Sequence, residues 1–178
     1  MPQTSRRLLL ASLCALLAGC AGPPRVEVAP SEPPFTLERF FAGRTVGTGG
    51  FTAPIAGINR PFKVTTQGTW DGRVLTLVED FAYADGERDR KTWRFTKLAP
   101  GLYEGTREDV IGKASVRQVG QRVELLYSAD IPNKDGSTIR LDFADTLAPA
   151  GPGRVINRAT VSRFGVPFGT VDLSFVKR

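Results

Sequence analysis

Two carboxylates occupy positions where an antiparallel strand turns its side chains inward. Glu79 shares its alternation face with Leu77 and Phe81, and Asp145 shares its own with Phe143 and Leu147. A carboxylate among apolar neighbours is costly unless paired. Arg90, Arg94, Arg107, Arg158 and Arg163 are the candidate partners. Two readings are open: the acids line a cavity and orient a ligand's headgroup, or they form a structural ion-pair network or turn outward at a bulge. Other chemistry is narrowly bounded. The 178 residues include no histidine and two cysteines, both within the first twenty. That excludes a Ser-His-Asp triad, a histidine base and a histidine-ligated zinc, copper or haem site. It also excludes an intramolecular disulfide framework. Acid–base work would fall to Glu79, Asp145, Lys113 or a tyrosine, and for the carboxylates only if burial raises their pKa.

Trp70, Trp93, Tyr83, Tyr103 and Tyr127 are large amphipathic side chains suited to core or barrel-end packing with a polar handle. Trp93 with Arg158 is a candidate cation–π pair at one end of the fold. The run Gly43 to Gly50 reads G-x-x-x-G-x-G-G but precedes no helix, so it does not make a phosphate loop. Asp130, Asp135 and Asp142 lack the spacing of a calcium loop. No cofactor or metal is expected.

The elements that must position these groups are strands. TLERFF at 36–41 suits one or two helical turns, with Thr36 as N-cap and Gly43 as the stop. Beyond it apolar and polar residues alternate, and turn chemistry recurs every ten to twelve residues. Strands are predicted near 45–53, 60–69, 73–83, 89–98, 101–107, 110–119, 122–131, 137–147, 154–163 and 168–176. Asp71-Gly72 and Asp85-Gly86 are hairpin dipeptides. Links this short force antiparallel neighbours, and about ten strands leave two exposed edges unless the sheet closes. The expected fold is an all-β, antiparallel up-and-down barrel with a short N-terminal helix; a two-sheet sandwich is the alternative. The interior should hold Leu75, Leu77, Phe81 and Tyr83, then Val123, Leu125, Tyr127, Ala129 and Ile131, then Ile139, Leu141, Phe143 and Leu147, and Val171, Leu173 and Phe175. Val110, Gly112, Ala114, Val116 and Gly105 carry little bulk. They either leave room for one small ligand or mark bends and close packing.

Residues 1–19 stand outside the domain. Arg6 and Arg7, the apolar run Leu8 to Leu17 and the small residues Ala18 and Gly19 read as a signal peptide too short to span a bilayer. Leu17-Ala18-Gly19-Cys20 resembles the bacterial lipobox, which implies that Cys20 is acylated and that the chain is cut before it. Ala21 in place of an aspartate resembles the pattern sorted to the outer membrane. The expected location is therefore the outer membrane, lipid-anchored, on the periplasmic face. The chain as a whole carries 24 lysines and arginines against 18 acids. Export argues against nucleic acid as the reason, and attraction to anionic lipid headgroups fits better. Residues 20–34, with five prolines after the cysteine, read as an extended tether that holds the domain off the bilayer. The domain is then 35–178.

Several runs resemble the domain-of-unknown-function 3833 family of bacterial lipoproteins. They are Glu79-Asp80-Phe81, Tyr83, Asp85-Gly86, Arg88, Arg90 and Trp93-Arg94. Tyr103, Gly105, Asp109-Val110, Gly112 and Ala114 follow, then Asn157-Arg158-Ala159, Phe164-Gly165, Gly169, Val171 and Phe175. The resemblance spans roughly 35–178. It implies a calycin-like barrel, related in shape to lipocalins, and lipid handling without an established activity. The chain departs from the family pattern at Phe143-Ala144-Asp145-Thr146, where an acid pair followed by a tryptophan is expected. The leading functional expectation is a non-enzymatic binding module for a fatty acid or other small apolar ligand. Glu79, Arg90, Trp93, Tyr103, Asp145 and Arg158 are its candidate site residues. A structural lipoprotein that docks a protein partner and a lipid isomerase or cyclase are the alternatives.

Overall fold

The computed structural model describes residues 22–133 and 135–178, and in it ten antiparallel strands close into one barrel. The strands are β1 (Gly43–Ala53), β2 (Ile58–Trp70), β3 (Val74–Tyr83), β4 (Arg88–Ala99) and β5 (Leu102–Thr106). They continue as β6 (Ala114–Val119), β7 (Arg122–Pro132), β8 (Thr138–Pro149), β9 (Arg154–Arg163) and β10 (Val166–Lys177). Each pairs with its sequence neighbours, and β1 closes the ring on β10 with Gly47 opposite Phe175 and Phe51 opposite Val171. Closure removes both sheet edges. Aspartates build the tight turns. Asp71 Oδ1 accepts from the backbone N–H of Arg73 at 2.8 Å and of Val74 at 2.6 Å, and Gly72 beside it takes φ 98°.

A five-residue helix, α1 (Leu37–Phe41), closes one end. Thr36 caps it by accepting from the Arg39 N–H. Leu37, Phe40 and Phe41 are buried, and the Phe41 ring meets Phe175 edge-on at 5.3 Å. Gly68 makes the seat: a Cβ there would stand 1.9 Å from the Phe41 carbonyl oxygen. Polar bonds lock the plug from the rim. Lys97 Nζ and the Tyr103 hydroxyl each reach Glu38 at 2.6 Å, and Lys177 Nζ donates to the carbonyls of Arg39, Phe40 and Ala42. Above the plug Val64, Leu75, Phe95, Val116, Val123 and Val155 fill the interior.

The predicted interior faces are those observed, with one shortened element. β6 begins at Ala114 rather than 110, because Gly112 at φ 67° and a turn beginning at Arg107 take the chain out of the strand. Gly112 therefore leaves no interior volume. At Gly105 a Cβ would meet the Phe95 and Trp93 rings at 3.1 Å, so that glycine serves close packing instead. Outward positions such as Lys63, Asp80, Arg94, Arg117, Arg140 and Asp172 make a charged wall, unlike the apolar band of a barrel that faces hydrocarbon. No helix among the described residues is long and apolar enough to cross a membrane.

The proline-rich segment does not project freely. Pro24 O accepts from the Thr146 hydroxyl at 2.8 Å, Ala29 N–H donates to Pro149 O at 2.9 Å, and Ser31 N–H donates to Gln121 Oε1 at 2.9 Å. It is extended as expected, but it is strapped along the outside of β8. Prolines cannot join a ladder as donors, yet their carbonyls and the intervening N–H groups can bond a wall. The expected signal peptide and the lipidation expected at Cys20 fall outside the described residues.

Candidate ligand-binding site

The end of the barrel opposite α1 is open and holds a cavity of about 240 Å³. Phe51, Phe62, Phe81, Tyr83, Tyr127 and Phe143 supply aromatic walls, brought there by β1, β2, β3, β7 and β8. Phe62 stands 5.5 Å from Phe81 and 5.4 Å from Tyr83, and Tyr127 stacks on Phe143 at 4.9 Å. Leu141, Val161 and Val171 complete the apolar surface. Arg60 lies 3.7 Å over the Tyr83 ring and bonds Asp85 and Glu87, which fixes the β3–β4 hairpin at the rim.

Charge enters the wall at Arg107, Lys91 and Asp109. Arg107 forks onto both Asp109 oxygens at 2.7 and 3.3 Å, and Lys91 Nζ lies 3.0 Å from Asp109 and 3.1 Å from Asp89. The Arg107 guanidinium sits 4.6 Å over Trp93 and 5.4 Å over Tyr127. Both cations are therefore already neutralised by protein carboxylates. Burial opposes the Arg107 charge, and the surrounding Tyr127, Glu79 and Asp109 more than reverse that effect. The Asp109 carboxyl resists burial too, but Arg107 and Lys91 hold it below its ordinary range.

One layer deeper, behind Arg107 and Tyr127, lie the two inward acids. Both are buried. Desolvation pushes Glu79 up to about 7 against the pull of Arg107, with the Asp145 charge adding to the rise. Asp145 is raised to about 6, again by burial, although the Asn157 amide donates to its Oδ1 at 2.9 Å. Asp145 Oδ2 and Asn157 Oδ1 have no hydrogen-bond partner among the described residues. The Tyr127 phenol is kept protonated by burial and then by Asp145.

None of the six predicted site residues lines the cavity itself. Three of them, Glu79, Asp145 and Trp93, are buried in the layer behind it, around Arg107. Tyr103 is buried near the closed end, where its hydroxyl holds Glu38. Arg90 and Arg158 face outward and pair with Asp80 and Asp172 on the outer wall. The Trp93–Arg158 pair does not form; Arg107 covers Trp93 instead. The reason is parity, since Arg90 alternates with inward Lys91 and Arg158 with inward Asn157 and Ala159. The residues not singled out as site residues are Lys91, Arg107, Asp109, Phe62 and Arg60. Lys91 carried a signal, because it shares the face of Trp93 and Phe95. Asp109 carried none in the alternation, because it sits in a turn, although Asp109-Val110 is among the runs that resemble the family.

The model of the family described as Protein of unknown function (DUF3833) matches residues 14–177. The chain belongs to that family. A search of curated proteins finds no match. For this DUF3833 chain the resemblance read from the strand runs is thus a membership, and the calycin-like shape it implied agrees with the closed ten-stranded barrel.

Proposed function

We propose that this DUF3833 barrel is a lipid-anchored binding module. It takes up a small apolar molecule, of fatty-acyl type, at the open end. The observation that carries this is the contrast between the two halves of the interior. One half is filled and capped by α1, while the other is an aromatic cavity open to the outside. Binding sites of this kind combine apolar walls with a few placed polar groups, here Lys91, Arg107 and Tyr127. We read the site as binding rather than catalytic, because the carboxyl with a pKa near neutrality, Glu79, lies behind the cavity wall. Acylation of Cys20 and sorting to the outer membrane belong to the same reading and rest on the lipobox-like run.

The test is extraction of the full-length protein from bacterial membranes, identification of co-purified small molecules by mass spectrometry, and titration with a fluorescent fatty acid. A stoichiometric apolar adduct and saturable, competable binding are expected. An empty protein without saturable binding would sink the proposal.

A further inference from the structure

The rim around the open end is uneven. On one side the β3–β4 hairpin carries Asp85, Glu87 and Asp89, held by Arg60 and Lys91. Next to it, joined through the β2–β3 pairing and Arg60, stands the β1–β2 hairpin, and the β9–β10 hairpin stands beyond that, because β1 pairs with β10. They present Ile55, Ile58, Phe164 and Val166, which are 100, 38, 87 and 66% exposed. Residues 54–57 between β1 and β2, and Ile58 that opens β2, carry no charge at all. Arg163 adds a cation, its guanidinium 5.0 Å from the Phe164 ring.

Phe164 is the telling residue. It occupies the first central position of a two-residue turn at φ 52°, followed by Gly165 at φ 76°. Such a turn favours Asn-Gly or Asp-Gly, because asparagine and aspartate tolerate positive φ. A bulky aromatic there is a backbone outlier, and its ring is left almost wholly in water. Neither local conformation nor packing within the barrel favours it. Strained non-glycine residues of this kind cluster at functional sites.

The course of the N-terminal segment says what that is. Ala29 bonds Pro149 near the capped end, and Pro24 bonds Thr146, farther up β8. Read back toward the N-terminus, the chain climbs toward the open end. Thr146 pairs with Arg158, six residues below Phe164. That is roughly 20 Å along the strand, or about 15 Å along the axis of a barrel with ordinary tilt. Cys20 lies four residues before Pro24, a reach of about 14 Å when extended. Fully extended along the axis, that reach ends about 1 Å short of the level of Phe164, so an acyl chain carried on Cys20 can extend to the level of the apolar hairpins.

We infer that the β1–β2 and β9–β10 hairpins dock on the surface of an anionic phospholipid bilayer, turning the mouth of the cavity toward the lipid. This rests on the reading of Cys20 as an acylated anchor, and it deepens the proposed function by making the bilayer the source of the ligand. Ile55, Ile58, Phe164 and Val166 enter the headgroup–acyl boundary, and Arg163 meets lipid phosphates. The strapped N-terminal segment holds the barrel mouth-down rather than at a distance.

The test uses the full-length protein from bacterial membranes, whose intact mass reports whether Cys20 is acylated. In acylated protein, single cysteines replace Ile55, Val166 or, at the capped end, Asp71. Each is labelled with nitrobenzoxadiazole and reconstituted on vesicles of phosphatidylethanolamine and phosphatidylglycerol. The expected result is a fluorescence rise at positions 55 and 166, quenched by brominated lipid, with no change at 71. A rise at 71 alone, or at none of the three, overturns the inference. Phe164→Asn should raise the melting temperature and weaken the signal at 55, so a folding defect cannot imitate the result. An unchanged signal at 55 counts against the docking role of the ring. If the mass shows Cys20 unmodified, the anchor reading has failed by itself. The rim is then judged by cosedimentation of the unacylated chain with the same vesicles: binding lost in Ile55→Asp supports it, and no binding overturns it.

Discussion

At the scale of single residues, the site is governed by which charges are already answered. Glu79 is neutral in the fold up to about pH 7, whereas in the unfolded chain it ionises near its ordinary value of 4.5. Between those values the folded state holds a proton that the unfolded state has lost, so stability falls as pH rises through the window. The stability is fully present below 4.5 and is lost by about 7, and a shift of this size corresponds to roughly 3 kcal/mol. Asp145 adds a similar trend between 3.8 and about 6. Urea denaturation should therefore show a higher midpoint at pH 5 than at pH 8. Glu79→Gln, a neutral isostere, should flatten much of that slope and be more stable than the parent at pH 8. An unaltered slope would mean that Glu79 finds a counter-charge in the fold. Asp109 supports a second expectation. It neutralises Arg107 and shares Lys91 with Asp89, so a fatty acid's carboxylate gains little from either cation. Asp109→Asn should lower stability, because it breaks a buried pair. It should also raise affinity for a fluorescent fatty acid relative to the matching fatty alcohol. Equal changes for both probes would show that the ligand's head does not reach this corner.

At the scale of elements, the closed end depends on backbone-to-backbone contact. Gly68 lets the Phe41 carbonyl sit where a Cβ would otherwise be, so Gly68→Ala must push α1 outward. The expected cost is about 1–3 kcal/mol, read by chemical denaturation, together with new binding of a hydrophobic dye at that end. Full stability in this variant would mean that the plug is not seated on β2. The strands themselves were legible in the sequence because their information is one-dimensional. Alternation set the inward faces of β3, β7, β8 and β10, and Asp-Gly pairs set the turns at 71–72 and 85–86. The same alternation, followed along β4 and β9, places Arg90 and Arg158 outside, and choosing them as ligand groups set composition above parity. Arg107 stood among the candidate partners, but nothing local distinguishes it. Its position over Trp93 and Tyr127 joins strands far apart in sequence and exists only once the barrel closes. The bonds of Pro24, Ala29 and Ser31 to the wall were illegible for the same reason, since a proline-rich run has no periodicity to register against a partner.

At the scale of the whole molecule, the barrel has two differently built ends. A ten-stranded barrel encloses more than side chains alone need fill; one half of this barrel is packed, and the surplus collects at the other. If that surplus is a binding site, stability and binding should respond oppositely to filling it. Val171 faces inward from β10, opposite Phe51 and Ala159, and forms part of the cavity wall. Val171→Trp places an indole among Phe51, Phe81 and Phe143 without removing a buried polar contact. New apolar area leaves water at roughly 25 cal/mol per Å², so the variant should melt at or above the parent's temperature. The same indole excludes an acyl chain, and saturable binding of a fluorescent fatty acid should disappear. A Leu75→Ala variant, which hollows the packed half, should do the reverse. It should cost about 2–5 kcal/mol while leaving probe affinity near the parent's, provided the measurement is made well below its melting transition. Should Val171→Trp keep full affinity, the ligand does not occupy the open end. If both variants lose affinity in proportion to lost stability, the two halves form one cooperative core. The cavity would then be a packing gap and not a site.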